Sequence, residues 1–135
     1  MKLIAQREYA DCGVACLAMI SNTSYGKALN ASIDAGAAPF TRGATCYQLR
    51  RALIALTGQA WRTTSKATGL PLRTYRGAAA NVLIAISQQP RTGGHWIAAT
   101  HDGWIYDPLV EKPQRSWQAK RRGYMIVNLI YRQLP

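Results

Sequence analysis

Apolar positions follow helical spacing before Gly58 and run in strand-like blocks after it. The first block, Cys12 to Ser21, carries Val14, Ala15, Leu17, Ala18 and Ile20, which cover most of a helical circumference. That pattern predicts a helix buried on most sides. Asp11, just before it, is a residue type that caps helix N-termini by accepting a backbone N–H. A second helix is predicted over Ser24 to Ala35, ended by Gly36 and the Pro39 that follows. A third begins at Thr45 and runs to Leu56. Its Leu49, Leu53 and Leu56 recur at i, i+4 and i+7, the spacing of one buried face, and Gly58 suits the left-handed residue that stops it.

Beyond Gly58 the period changes. Ala60 to Thr64 reads as a short strand, and Gly69, Pro71 and Gly77 break the next stretch into loops. Asn81 to Ser87 is a β-branched and aliphatic run, hence a buried strand. Trp96 to His101 and Trp104 to Asp107 flank Asp102-Gly103, a hairpin signal. Tyr124 to Tyr131 reads as a final strand. The fold class is α+β: helices first, packed on an antiparallel sheet of four or five strands. The 135 residues fit one domain spanning 1–135, with no internal repeat or linker. A chain this long buries roughly two-thirds of its unfolded surface, so no disulfide or metal is needed to hold it.

Charge adds a second theme. Seventeen Lys and Arg face six Asp and Glu, for a net charge of +11, with one dense run at Lys120-Arg121-Arg122. Such a field favours an acidic protein, nucleic acid or an anionic surface as partner. No aromatic-plus-basic motif of nucleic-acid binders accompanies it. The three cysteines, Cys12, Cys16 and Cys46, are odd in number and no apolar signal segment follows Met1. These features argue against a disulfide framework and make the cytoplasm the expected location. The apolar stretch from Ala78 to Ile86 is too short to span a bilayer.

Four residues suggest chemistry. Cys12 opens the first helix, where the helix dipole and unpaired amides favour thiolate over thiol. Gly13 beside it offers no side chain to obstruct a substrate. Taken alone, Cys12 reads more simply as a small buried hydrophobe. Gln6 lies six residues upstream. If residues 6 to 11 fold back, its amide and the Cys12 backbone N–H supply two donors for a developing oxyanion; otherwise it is a surface glutamine. His95 follows Gly93-Gly94, glycines that let the backbone pass close to another element or a substrate. An imidazole at a strand start can face the first helix, take the thiol proton and return it to a leaving amine. His101 competes, but its place at the hairpin turn predicts exposure.

Asp107 ends the partner strand. In a hairpin centred on 102 and 103, paired positions sum to about 205, which sets residue 107 near 98 and within reach of His95. Its carboxylate would fix the imidazole tautomer, although an Asp-Pro pair is also ordinary turn chemistry. Trp96 and Trp104 either pack the core or wall a substrate groove; Trp61 and Trp117 read as core or rim. Cysteine and histidine spacing gives no zinc pattern, and no phosphate-binding loop is present. No metal or cofactor is expected.

Taken in order, Gln6 to Ile20 with Cys12-Gly13, the Tyr25-Gly26 pair, Gly94-His95-Trp96 and Tyr106-Asp107-Pro108 resemble the bacteriocin-processing peptidase domains of peptide-exporting ABC transporters. Those domains are papain-like and cleave leaders after a double glycine. The resemblance covers nearly the whole chain. It implies a papain-like fold and a thiol peptidase, here as a stand-alone domain acting on a peptide or protein. By position it assigns Cys12 as nucleophile, His95 as general base, Asp107 as its orienting group and Gln6 as oxyanion donor, with Gly13, Gly94 and Trp96 near the substrate. Cys16 becomes the buried second cysteine of the helix motif. A related acyl transfer such as deamidation fits the same residues. The alternative is an inactive scaffold of this fold that binds an acidic protein or nucleic acid through its basic surface.

Overall fold

Helices come first in the chain and pack on one face of a sheet made by the rest of it. The computed structural model describes residues 1–65, 69–88 and 94–134; Gly93, paired with Gly94 in the sequence reading, lies outside them. Helices α1 (Cys12–Ser21), α2 (Tyr25–Asp34) and α3 (Cys46–Thr57) precede strands β1 (Trp61–Thr64), β2 (Val82–Ser87), β3 (Gly94–Ala99), β4 (Trp104–Tyr106), β5 (Gln114–Arg115) and β6 (Met125–Arg132). The sheet runs β1-β6-β2-β3-β4-β5, and every pairing is antiparallel. It has six strands where the sequence suggests four or five. The addition, β5, is two residues long, too short for any hydrophobic period.

Local signals set the helix ends. Thr45 and Gln48 form a reciprocal capping box on α3, and Ser24 caps α2 through the Lys27 N–H. Gly58 ends α3 in the left-handed conformation. Asp11 departs from expectation: it stands at the N-cap of α1 but makes no capping hydrogen bond there.

α1 is the central helix, with Cys12 to Met19 all buried. It lies between α2, α3 and the face of the sheet formed by Leu83, Trp96, Ala98 and Ile130. The opposite face, bearing Ile84, Ile86, Ile97, Ala99 and Ile105, carries no α-helix among the described residues. Leu72, Tyr75 and Ala119 cover it from two irregular segments. Sheet residues therefore alternate between two buried sides, which is why β2 is apolar at consecutive positions.

The hairpin β3–β4 pairs Ala98 with Tyr106 and Ala99 with Ile105. Its turn spans four residues, closed by Thr100 N–H to Trp104 O and Gly103 N–H to Thr100 O, rather than the two-residue turn that Asp102-Gly103 suggests. β3 also begins two residues earlier than predicted, at Gly94, which brings His95 inside the sheet. Gly77 fastens the cover to this turn. It has φ +129°, and a Cβ there would stand 2.2 Å from His101 O. No helix of the described residues is long and apolar enough to cross a membrane.

Gly77→Ala forces the cover segment off the hairpin that carries His95 and Asp107. The substitution is expected to lower the free energy of unfolding by about 2 kcal/mol or more, measured by urea denaturation against wild type.

Candidate active site

The N-terminus of α1 is shaped by a loop that folds back on it. Asp11 is fully buried. One carboxylate oxygen accepts from Glu8 N–H at 3.0 Å, and the other from Arg7 N–H at 2.9 Å and from the Tyr25 hydroxyl at 2.5 Å. Arg7 lies over the Tyr25 ring at 4.0 Å. Burial and the Asp11 carboxylate push the Tyr25 hydroxyl up to about 12. Asp11 thus serves the loop instead of the helix, and the first-turn amides of α1 keep no side-chain cap.

Cys12 is buried at the helix tip and accepts a hydrogen bond from the Trp96 backbone N–H at 3.4 Å. Cys12 is coupled electrostatically to the neighbouring His95 ring. The ring Nε2 donates to Asp107 Oδ1 at 2.8 Å, which leaves Nδ1 for the sulfur. By strand alternation His95 shares a side with Ile97, and Asp107 with Ile105. That is the side covered by the segment containing Ala119, and two residues further on Arg121 reaches in. Its Nη1 donates to Asp107 Oδ2 at 2.6 Å, while Leu109 N–H donates to Oδ1 at 3.0 Å.

These contacts set the charges. Burial works against a charged His95, but Asp107 and Cys12 outweigh it and hold the imidazole up at about 9. Burial would raise Asp107; His95, the Leu109 N–H and Arg121 overcome it and keep the carboxyl below its ordinary range. The other thiols are less available. Burial first, then its electrostatic neighbours Cys12 and Asp107, push Cys16 well up. Cys46 also sits at a helix start, but burial raises it despite Arg50.

An open groove of about 540 Å³ runs over the sulfur, lined by Gln6, Tyr9, Cys12, Arg42, Gly43, Gly94, His95, Trp96, Leu109 and Arg121 among others. Gln6, Gly94 and Trp96 therefore line it with Cys12 and His95. Trp96 does so while packing into the core, its Nε1 donating to Ala44 O at 3.0 Å. Gly13 does not line the groove. A Cβ there would lie 3.1 Å from the Leu49 side chain, so the missing side chain makes room for α3. The Gln6 amide nitrogen donates to Glu8 O at 2.9 Å and Tyr9 O at 3.2 Å, and its oxygen is buried without a partner. A larger hollow of about 630 Å³ is lined by Ile20, Leu56, Asn81 and His101 and holds no cysteine. His101 is exposed at the hairpin turn, away from Cys12.

Sequence reasoning missed Arg121, which it left in a surface run of cations, and the Leu109 N–H. Neither has a spacing signal, because both depend on how the irregular cover folds. Tyr25 entered only through family likeness; its hydroxyl partner, Asp11, was assigned elsewhere.

A thiol at the tip of a central helix, an imidazole at the edge of an antiparallel sheet and an open groove above them define a papain-like cysteine peptidase. The family model of the Peptidase C39 family matches residues 1–102, and the chain belongs to that family. The matched stretch holds Gln6, Cys12 and His95 and stops short of Asp107 and Arg121. Comparison with curated protein sequences returns no match. Among solved structures, the peptidase domain of ComA from Streptococcus mutans is similar in fold at TM-score 0.60 and 19% identity, over 99% of this chain and 100% of that one.

His95 makes a pH prediction. Its folded value of about 9 lies above the ordinary 6.5, so its contribution to stability is complete below pH 6.5 and is lost as pH rises through about 9. Stability is expected to fall across that window by at most about 3 kcal/mol more in wild type than in His95→Gln, read from urea denaturation at stepped pH.

Proposed function

We propose that this chain hydrolyses a peptide bond through Cys12, His95 and Asp107, with Gln6 and the Cys12 backbone N–H at the oxyanion. The observation that carries the reading is the position of His95, hydrogen-bonded to Asp107 and sharing with Cys12 the wall of one open groove.

In this reading the Cys12 sulfur, as thiolate beside the imidazolium of His95, attacks the carbonyl carbon of the scissile bond. The carbonyl π pair moves onto oxygen. The uncapped first-turn amides of α1 supply one donor to that oxygen. The Gln6 amide supplies the other by exchanging one of its two loop carbonyls for the stronger, charged acceptor. As the carbonyl re-forms, the C–N bond breaks and His95 gives its proton to the leaving amine, leaving a thioester. Neutral His95 then takes a proton from water as the water oxygen attacks the thioester; the thiolate leaves and the acid product departs. Asp107, itself held by Arg121 and Leu109, keeps Nε2 protonated and so fixes Nδ1 toward the sulfur. The double-glycine leaders processed by the domains this sequence resembles are the first substrates to try.

Two experiments test this. A proteome-derived peptide mixture and a synthetic double-glycine leader are incubated with wild type and with Cys12→Ala, and new termini are identified by mass spectrometry. Cleavage is expected in wild type alone; identical products from both proteins overturn hydrolysis at Cys12. Iodoacetamide at neutral pH is expected to modify Cys12 ahead of Cys46 and Cys16, and the opposite order contradicts an activated thiol.

Gln6→Ala is expected to lower kcat roughly 10²- to 10³-fold with little change in KM. The activity of wild type is expected to decline above about pH 9, as His95 loses the proton meant for the leaving amine. An unchanged rate in Gln6→Ala removes that residue from the oxyanion site.

A further inference from the structure

The cationic run at 120–122 is divided by the fold. Arg121 turns inward to Asp107, while Lys120 and Arg122 stay exposed. With Arg73, Gln88, Gly123 and Tyr124 these two line a trough of about 430 Å³. Gln88 and Tyr124 also line the groove over Cys12, so trough and groove meet along a shared wall.

None of the described residues lining the trough carries a carboxylate. Among the described residues the ion pairs are those of Asp107 with His95 and Arg121, so none of the three trough cations is neutralised. Arg122 donates only to Ala119 O, at 3.3 Å. Three exposed, unpaired cations beside a substrate groove raise the local concentration of negative charge. Among the described lining residues Tyr124 is the single aromatic side chain, and it belongs equally to the groove, a poor platform for stacking bases.

Building on the peptidase reading, we infer that the substrate is a peptide carrying acidic residues on one side of the scissile bond, held by Arg73, Lys120 and Arg122 in the trough that continues the groove. An extended chain leaving the reacting carbonyl past Gln88 and Tyr124 sets its next side chains among these cations. Each exposed pair is weak and screened by salt. Three together discriminate roughly tenfold at low ionic strength.

The test separates this inference from catalysis by measuring binding to the Cys12→Ala protein. The probes are fluorescein-labelled peptides with a central Gly-Gly pair and a tetraglutamate flank on the N-terminal side, on the C-terminal side, or replaced by tetraglutamine. In fluorescence anisotropy one acidic peptide is expected to bind roughly tenfold tighter than the glutamine peptide at low salt, with the preference fading as salt rises. Arg73→Gln/Lys120→Gln/Arg122→Gln is expected to abolish the preference. Arg50→Gln/Arg51→Gln/Arg62→Gln, which removes equal charge from α3 and β1, is expected to keep it.

Equal binding of all three peptides overturns the inference. So does equal loss in both triple variants, which would make the preference a property of net charge. Stronger retention of a single-stranded oligonucleotide than of either acidic peptide, lost in the trough variant, would assign the trough to nucleic acid instead. Acid-selective binding without cleavage by wild type would leave the trough standing and remove the peptidase reading; cleavage without acid selectivity would do the reverse.

Discussion

The site depends on one carboxylate. Asp107 is 5% exposed, and burying an unpaired carboxylate costs several kcal/mol. Three donors from three parts of the chain offset this: His95 from β3, the Leu109 N–H from the loop after β4, and Arg121 from the cover on the second face. Removing any one leaves the others with an under-compensated charge. The carboxylate therefore ties the imidazole to the sheet edge and the cover to the imidazole, and through His95 it reaches the sulfur at the tip of α1.

Arg121 also balances the charge. Without Arg121, the carboxylate would face His95 and the Leu109 N–H alone. A guanidinium on the far oxygen shares that negative charge. Burial of the ring works against its charged form, and Asp107 and Cys12 together hold His95 up at about 9. Engagement on both oxygens holds Asp107 in one orientation, so that Nδ1 has one direction to face.

Much of this was legible beforehand. The three helices and five of six strands follow from apolar period, capping residues and glycine positions, because burial of one stripe or face leaves a regular trace. Cys12, His95 and Asp107 meet because a helix start, a strand start and a hairpin register are local signals that the topology brings together. The register reading set Asp107 near residue 98, and the observed pairing of Ala98 with Tyr106 differs by one position. What was not legible lies in the segments without period. The second cover of the sheet, the two-residue β5 and the inward turn of Arg121 depend on long-range packing around Leu72, Tyr75 and Ala119. Within Lys120-Arg121-Arg122 nothing in the letters says which cation is buried. At Gly13 the letters suggest access to the thiol beside it, and packing adds a second constraint, since a Cβ there would press on the Leu49 side chain.

The failed cap at Asp11 carries a different lesson. A carboxylate at that position ordinarily accepts a first-turn N–H and gains about 1 kcal/mol of helix stability. Here it turns away to Arg7, Glu8 and Tyr25, which orders the loop bearing Gln6 and leaves the amides at Cys12 open. A capped α1 would be the more stable helix, with its first-turn amides already committed to a carboxylate. The local propensity is overridden at this helix end, and the loop held by Asp11 brings the Gln6 side chain to the groove over Cys12. Two of the six acidic side chains in a strongly basic protein are buried, Asp11 and Asp107; Asp11 is held by the loop that bears Gln6 and by Tyr25, and Asp107 by His95, Leu109 and Arg121.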